Sequence, residues 1–274
     1  MTSMSEPLRV GVVGAGAIGA TIARAVDAGR VPGCVLVGLC EVDAGKRDAL
    51  RASLAQPVPA LDLPALCQAA QVVVEAAAAK VAPSVIETAL RAGADVVVMS
   101  VGGLLGRDDL CALARATGRR IHVPTGAIAG LDAVRAAAAA GLERVTLTTT
   151  KPPQGLAGAP WVVQQGIDLA ALTAPTVLFE GSASEAVSAF PANVNVAAAL
   201  SLAGVGPEAT RVRVVADPGT TRNTHQVEAA GAFGELTVTI ANVPSPENPK
   251  TSYLAALSAL ALLRRLTAPV VVGT

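Results

Sequence analysis

Aromatic side chains are nearly missing: one Trp, one Tyr and three Phe make up 2% of 274 residues. So few rings leave little on which bases or sugars could stack, which argues against single-stranded nucleic acid as the ligand. Net charge is missing too. Twenty-one basic residues balance 21 acidic ones, so no overall field favours nucleic acid or an anionic membrane. The four cysteines, Cys34, Cys40, Cys67 and Cys111, form no CxxC pair and no cluster with histidine. Neither a zinc site nor a disulfide framework is indicated, and reduced structural thiols are expected. No uninterrupted apolar run reaches the ~18 residues of a membrane span, and residues 1–7 lack the basic-then-apolar order of a signal peptide. The expectation is a soluble cytoplasmic protein that acts on a small molecule, without a metal.

What remains is apolar and small. Hydrophobic residues are 52% of the chain, mostly Ala, Val and Leu spread over short segments, as buried parallel strands require. Up to residue 123, β-branched runs alternate with Ala-rich amphipathic stretches. This predicts strands over 9–13, 35–40, 72–76, 95–99 and 120–123, with crossover helices at 17–28, 44–54, 83–92 and 107–116. The fold class is α/β, a Rossmann-type doubly wound parallel sheet with a second α+β domain. In the second half a helix at 131–140 precedes a Thr-rich strand at 144–150. Strands follow at 176–180, 211–216, 225–231 and 235–241, with short connections that permit antiparallel pairing. Helices are expected at 186–190 and 194–202. The proline-rich stretch 243–249 reads as a breaker loop before an apolar helix at 251–266. The expected domains are 1–126 for the dinucleotide, 127–245 for substrate and dimerisation, and 246–274 as a helix returning to the first.

The turn Gly14-Ala15-Gly16-Ala17-Ile18-Gly19 stands between the first strand and the first helix. Gly14 permits the tight turn, Gly16 lets backbone approach a pyrophosphate, and Gly19 allows close helix-strand packing, while the helix N-terminus offers N–H groups to the anion. Alone this motif is weak; in its strand-turn-helix setting it predicts a dinucleotide. Glu41 ends the second strand, where a carboxylate binds ribose hydroxyls and repels a 2′-phosphate, which favours NAD, with NADP the alternative. Asp43 competes for that role, though it equally suits a helix cap. The Ser100-Val101-Gly102-Gly103 turn is either a ligand turn or an ordinary glycine turn. Thr125-Gly126-Ala127-Ile128-Ala129-Gly130 is favoured as a ligand turn, its small residues allowing main-chain groups to meet the nicotinamide.

Only two histidines can supply an imidazole. His122, inside an apolar strand end, reads as structural; His225, opening a strand after a polar run, is balanced between catalysis and structure. Lysine is scarce. Lys46 reads as solvated, and Lys80 carries no assignment. Lys151, before Pro152-Pro153, and Lys250, after Pro249, are held by rigid neighbours and could each bind a carboxylate. Asn193 suits a helix N-cap, which leaves Asn195 in the first turn for another role, such as a hydrogen bond to the nicotinamide amide.

Together these segments resemble the L-aspartate dehydrogenases. The likeness runs through Gly14 to Gly19, Val101-Gly102-Gly103, Gly126-Ala127-Ile128 with Leu131-Asp132-Ala133, and Thr150-Lys151-Pro152. It continues in Phe179-Glu180-Gly181-Ser182-Ala183, Pro191 with residues 193–198, Asp217-Pro218, and His225-Gln226-Val227-Glu228. Gly231-Ala232-Phe233-Gly234 and Asn248-Pro249-Lys250-Thr251-Ser252 complete it. The resemblance implies oxidation of L-aspartate to iminosuccinate with NAD or NADP, then hydrolysis to oxaloacetate and ammonia. It makes His225 the catalytic histidine, and Ala127 and Asn195 cofactor contacts. It also implies a homodimer through the second-domain sheet. Lys151 is the leading partner for a substrate carboxylate, with Lys250 and Arg222 behind it, and substrate and nicotinamide are expected to meet in a cleft between the domains. Direction stays open, since the same reaction run differently makes aspartate or supplies iminosuccinate for NAD synthesis. A related imine or carbonyl reductase of amino-acid metabolism and a non-catalytic dinucleotide sensor remain the alternatives.

Overall fold

The computed structural model describes residues 6–191 and 195–273, with residues 249 and 250 by their backbone alone. It divides into two compact units, one running to Pro124 and including Ala255–Val272, the other formed by Thr125–Leu254.

The first unit holds β1 (Leu8–Val13), α1 (Ala17–Asp27), β2 (Cys34–Cys40), α2 (Ala44–Ala52), α3 (Leu63–Ala69), β3 (Val72–Glu75), α4 (Ala82–Arg91), β4 (Asp95–Val98), α5 (Asp108–Thr117) and β5 (Ile121–His122). The strands are parallel in the order β2-β1-β3-β4-β5. Since β2 and β3 flank β1, the chain reverses its winding there, and a crevice opens beyond the carboxyl end of β1. Val72, Val73 and Val74 are buried without alternation because helices cover both faces of the sheet. One face packs on Ile22 of α1 and on Ala259, Leu260 and Leu263 near the C-terminus. Truncating fully buried Leu263 to Ala would cost about 2–5 kcal/mol.

Helix α3 was not expected from the sequence. Asp62 caps it by accepting from Ala65 N–H at 2.8 Å, and Pro64 suits its first turn. Its Leu66 fills the space left by two strand glycines: a Cβ on Gly11 or Gly38 would lie 2.9 or 2.7 Å from Leu66 carbons. A seven-residue helix carries too little periodicity to read, but this docking holds it.

The second unit contains α6 (Leu131–Ala138), β6 (Leu142–Lys151), α7 (Pro160–Gln164), β7 (Thr176–Ser182), α8 (Ala183–Ala189), α9 (Asn195–Ala203), β8 (Arg211–Ala216), β9 (Asn223–Gly231), β10 (Gly234–Asn242), β11 (Pro244–Ser245) and β12 (Asn248–Ser252). Its main sheet is mixed, β10-β9-β6-β8-β7, with β6 and β8 parallel and the other pairs antiparallel. Period-two alternation buries Val145 and Leu147 of β6, Val227 and Ala229 of β9, and Val212 and Val214 of β8. Three of the five rings meet here edge to face: Trp161 with Phe179, and Phe179 with Phe190.

Several boundaries differ from expectation. The helix at 186–190 begins three residues earlier, because Ser182 and Glu185 form a reciprocal capping box. The stretch 243–249 is no simple loop: β11 and β12 pair there as a two-stranded ribbon, whose edges tolerate Pro244 and Pro249. Consequently α10 (Tyr253–Thr267) starts after residues 251 and 252 have served as strand, and the segment from 246 begins in the second unit. Among the described residues no helix is long and apolar enough to cross a membrane.

Candidate active site

The glycine turn leaves β1 at its carboxyl end. Gly14 has φ +99°, and a Cβ there would lie 2.5 Å from the Ala76 carbonyl oxygen. A Cβ on Gly19 would also collide with the carbonyl oxygen of Gly14, so α1 can sit this close to the turn only with glycine at that position. Gly16 differs: nothing lies within 4 Å of where its Cβ would be. It precedes α1 without a side-chain cap, and Ala17, Ile18 and Gly19 form the first turn. Uncapped N–H groups beside open space suit an anionic pyrophosphate.

Glu41, just past β2, turns back onto this loop. Its carboxylate accepts from Ala15 N–H at 2.7 Å and from Asp43 N–H at 2.9 Å. Asp43 caps α2, accepting from Lys46 N–H at 3.0 Å, and that bond holds its carboxyl below the usual range. The two acidic candidates are thus separated: Asp43 serves the helix and Glu41 faces the glycine turn.

A third carboxylate escaped the sequence reading. Glu75 ends β3 fully buried and accepts from Ala77 N–H at 2.8 Å, Ser100 N–H at 3.0 Å and Ser100 Oγ at 2.9 Å. Burial raises its pKa against the pull of those bonds. It ties together the turns after β3 and β4. Ser100 is therefore engaged within the protein, and Val101–Leu104 is a 3-10 turn in which Gly103 packs against Ala79. An acidic residue inside an apolar strand was the signal. His122, the other imidazole, has Nε2 3.5 Å from the Asp95 carboxylate.

In the second unit the buried sheet face changes character at one end. Thr149 and Lys151 of β6 and His225 of β9 continue the row that Val145, Leu147 and Val227 begin, at 2%, 7% and 4% exposure. Thr149 and His225 are direct cross-strand partners, and Thr149 Oγ1 lies 3.0 Å from His225 Nδ1. Burial pushes the Lys151 amine down to about 8. Burial and then the Lys151 charge push His225 down to about 3. At neutral pH the lysine is a cation and the imidazole is neutral, so the pair offers one anion-binding group and one proton acceptor.

Ala127 is buried in the turn after residue 124, and its carbonyl accepts from Asn242 Nδ2 at 2.9 Å. Asn242, also unforeseen, ends β10, the strand beside His225. Asn195 is the exposed first residue of α9. Arg222 stands exposed in the bend before β9, outside the buried group. Asn193 and the Lys250 side chain lie outside the described residues. Among those residues no group of His, Cys, Asp and Glu could hold a metal ion.

Comparisons with known proteins agree on one family. The family described as "Aspartate dehydrogenase, C-terminal" matches residues 132–266, and "Homoserine dehydrogenase, NAD binding domain" matches residues 14–124. An L-aspartate dehydrogenase of Methanosarcina acetivorans is 48% identical over 271 residues, covering 97% of this chain and all of the relative. One of Bordetella bronchiseptica is 47% identical over 272 residues, covering 99% and 100%. The crystal structure of aspartate dehydrogenase from Thermotoga maritima aligns over 97% of this chain and 99% of its own, with TM-score 0.77 and 26% identity. A homoserine dehydrogenase structure from Thiobacillus denitrificans, at TM-score 0.62 and 14% identity, shares the fold. With its dinucleotide turn, mixed-sheet second unit and full-length relatives, the chain belongs to the L-aspartate dehydrogenase family.

Proposed function

We propose that this protein catalyses the oxidative deamination of L-aspartate to iminosuccinate, which water converts to oxaloacetate and ammonia. The observation that carries this reading is the buried pairing of a neutral histidine with a lysine cation at one end of the second sheet. Burial and, after it, the Lys151 charge depress His225; a carboxylate bound to Lys151 would offset the second of these, so substrate binding makes the imidazole a better base. His225 then takes a proton as the imine forms, or activates the water that hydrolyses it. Lys151 orients the substrate, and Arg222 and Lys250 are the further candidates for its second carboxylate.

The residues present fit a dinucleotide, since Gly16 leaves open the space that a Cβ would enter and α1 has an uncapped first turn. When bound, the dinucleotide supplies the hydride acceptor. Gly14, Gly16, Ala17, Ile18 and Gly19 would hold its pyrophosphate and Glu41 its adenosine ribose, and Ala127 and Asn195 would be further contacts. Glu41 would carry a preference for NAD over NADP, because its carboxylate, pinned by the Ala15 and Asp43 N–H groups beside the glycine turn, would accept from ribose hydroxyls and repel a 2′-phosphate. We further assign a homodimer through the second sheet, whose other face holds Thr146, Thr148, Thr150 and Val215 only half-buried in the single chain. Light scattering tests this, and a monomer refutes it. Four free thiols are consistent with a reducing, cytoplasmic setting.

The central test is spectrophotometric. Purified protein with NAD and L-aspartate, and in reverse with NADH, oxaloacetate and ammonium, should change the absorbance of reduced nicotinamide. No turnover in either direction from protein that binds NAD would refute the assignment.

A further inference from the structure

The reading of His225 as the proton-handling group leaves open which ring nitrogen does the work, and resting on that reading the question turns on its cross-strand neighbour Thr149. Thr149 and His225 are opposite one another across β6 and β9, both almost fully buried, with Oγ1 3.0 Å from Nδ1. Nδ1 is therefore occupied from within the protein. Nε2 is the ring atom left to meet a substrate.

A neutral imidazole carries one proton, and a threonine hydroxyl can either donate to Nδ1 or accept from it. If the hydroxyl donates, the ring proton sits on Nε2 and that atom cannot accept another. If Nδ1–H donates to the hydroxyl, Nε2 keeps its lone pair. Imine formation and water activation both require a proton to be taken up, so only the second arrangement suits the reaction. Burial beside the Lys151 cation disfavours the doubly protonated ring, which leaves the choice of tautomer to the Thr149 contact. We propose that Thr149 is a positioning residue that holds His225 with its proton on Nδ1, so that Nε2 faces the reaction as the proton acceptor. Thr149 touches no substrate atom and acts through the ring.

The test uses the fact that the chain has only two histidines. Protein labelled with 15N-histidine shows two imidazoles, and His225→Gln assigns them by removing one. In the unsubstituted protein, His225 should show a protonated Nδ1 and a bare Nε2. Thr149→Val, which keeps the shape and removes the hydroxyl, should move the ring towards the Nε2–H form. It should lower kcat roughly 10-fold or more, a smaller loss than the ~100-fold or more expected on removing the acid-base group itself, while leaving the KM for aspartate and the Kd for NAD unchanged. Thr149→Ser restores a hydroxyl and should restore both the tautomer and kcat. A ring already protonated at Nε2, or a Val variant with unchanged tautomer and kcat, overturns the proposal. Loss of kcat in the Ser variant equal to that in Val does so too. The tautomer measurement needs no substrate, so it judges Thr149 even if the protein fails to oxidise aspartate, whereas such a failure refutes the assigned reaction.

Discussion

The carboxyl edge of the first sheet and the polar end of the second are built from different materials. At the first, main chain shapes the candidate site: three glycines and a helix start, with one pinned carboxylate, within residues 14–41. At the second, three side chains from positions 149, 151 and 225 are gathered by strand pairing onto one buried face. A backbone site tolerates little change in shape but varied chemistry around it. A side-chain site depends on which atoms are present and how burial changes their protonation.

Breaking each site separately should therefore give different losses. The largest is expected for His225→Ala, with turnover lowered about 100-fold or more and NAD affinity nearly intact; equal loss of both would make the histidine structural. Gly19→Ala should do the reverse. Its Cβ meets the Gly14 carbonyl, so calorimetry should show NAD affinity weakened by about 10- to 100-fold, equivalent to roughly 1.4–2.8 kcal/mol. Unchanged affinity would remove the turn from the cofactor site.

Lys151→Met separates function from stability. The lysine stays charged in the unfolded chain up to about pH 10.4, but in the fold only up to about 8. Below pH 8 both states are charged, and the fold bears the full cost of burying the ammonium. That cost diminishes as pH rises from 8 to about 10.4 and the buried amine loses its proton. Met should therefore stabilise the protein at pH 7 by roughly 2–3 kcal/mol in denaturant titrations, with aspartate KM raised about 10-fold or more. The gain should shrink above pH 8. In the unsubstituted enzyme KM for aspartate should climb as pH passes 8, and a flat profile would detach Lys151 from the substrate. The smallest effect is Glu41→Ser, expected to shift the ratio of NADP to NAD use by about 10-fold towards NADP. An unchanged ratio would move the ribose contact elsewhere.

The two sites also differed in how far they could be read in advance. The glycine turn and the two carboxylates that follow β2 could be read from order along the chain, because a strand, a tight turn and a helix start impose local requirements. Lys151 and His225 were visible as rare residue types in constrained places, but their neighbourhood was not. Thr149 was one of several threonines in a polar-looking strand, and only the β6–β9 register faces it to His225. Glu75 and Asn242 were hidden for the same reason, since their partners lie 25 and 115 positions away. Helix α3 and the β11–β12 ribbon were missed because each is too short for periodicity to outweigh its prolines.

By itself the sequence determined the parallel sheet, the dinucleotide turn and the residue types available for chemistry, all of which arise from spacing within one or two turns of chain. Tertiary structure decided which carboxylate faces the glycine turn, which carboxylate locks β3 to β4, and which hydroxyl holds the histidine ring. It also decided how strongly burial shifts Lys151 and His225. Those outcomes depend on strand register and on the exclusion of water from a packed face, and neither exists until distant segments have come together.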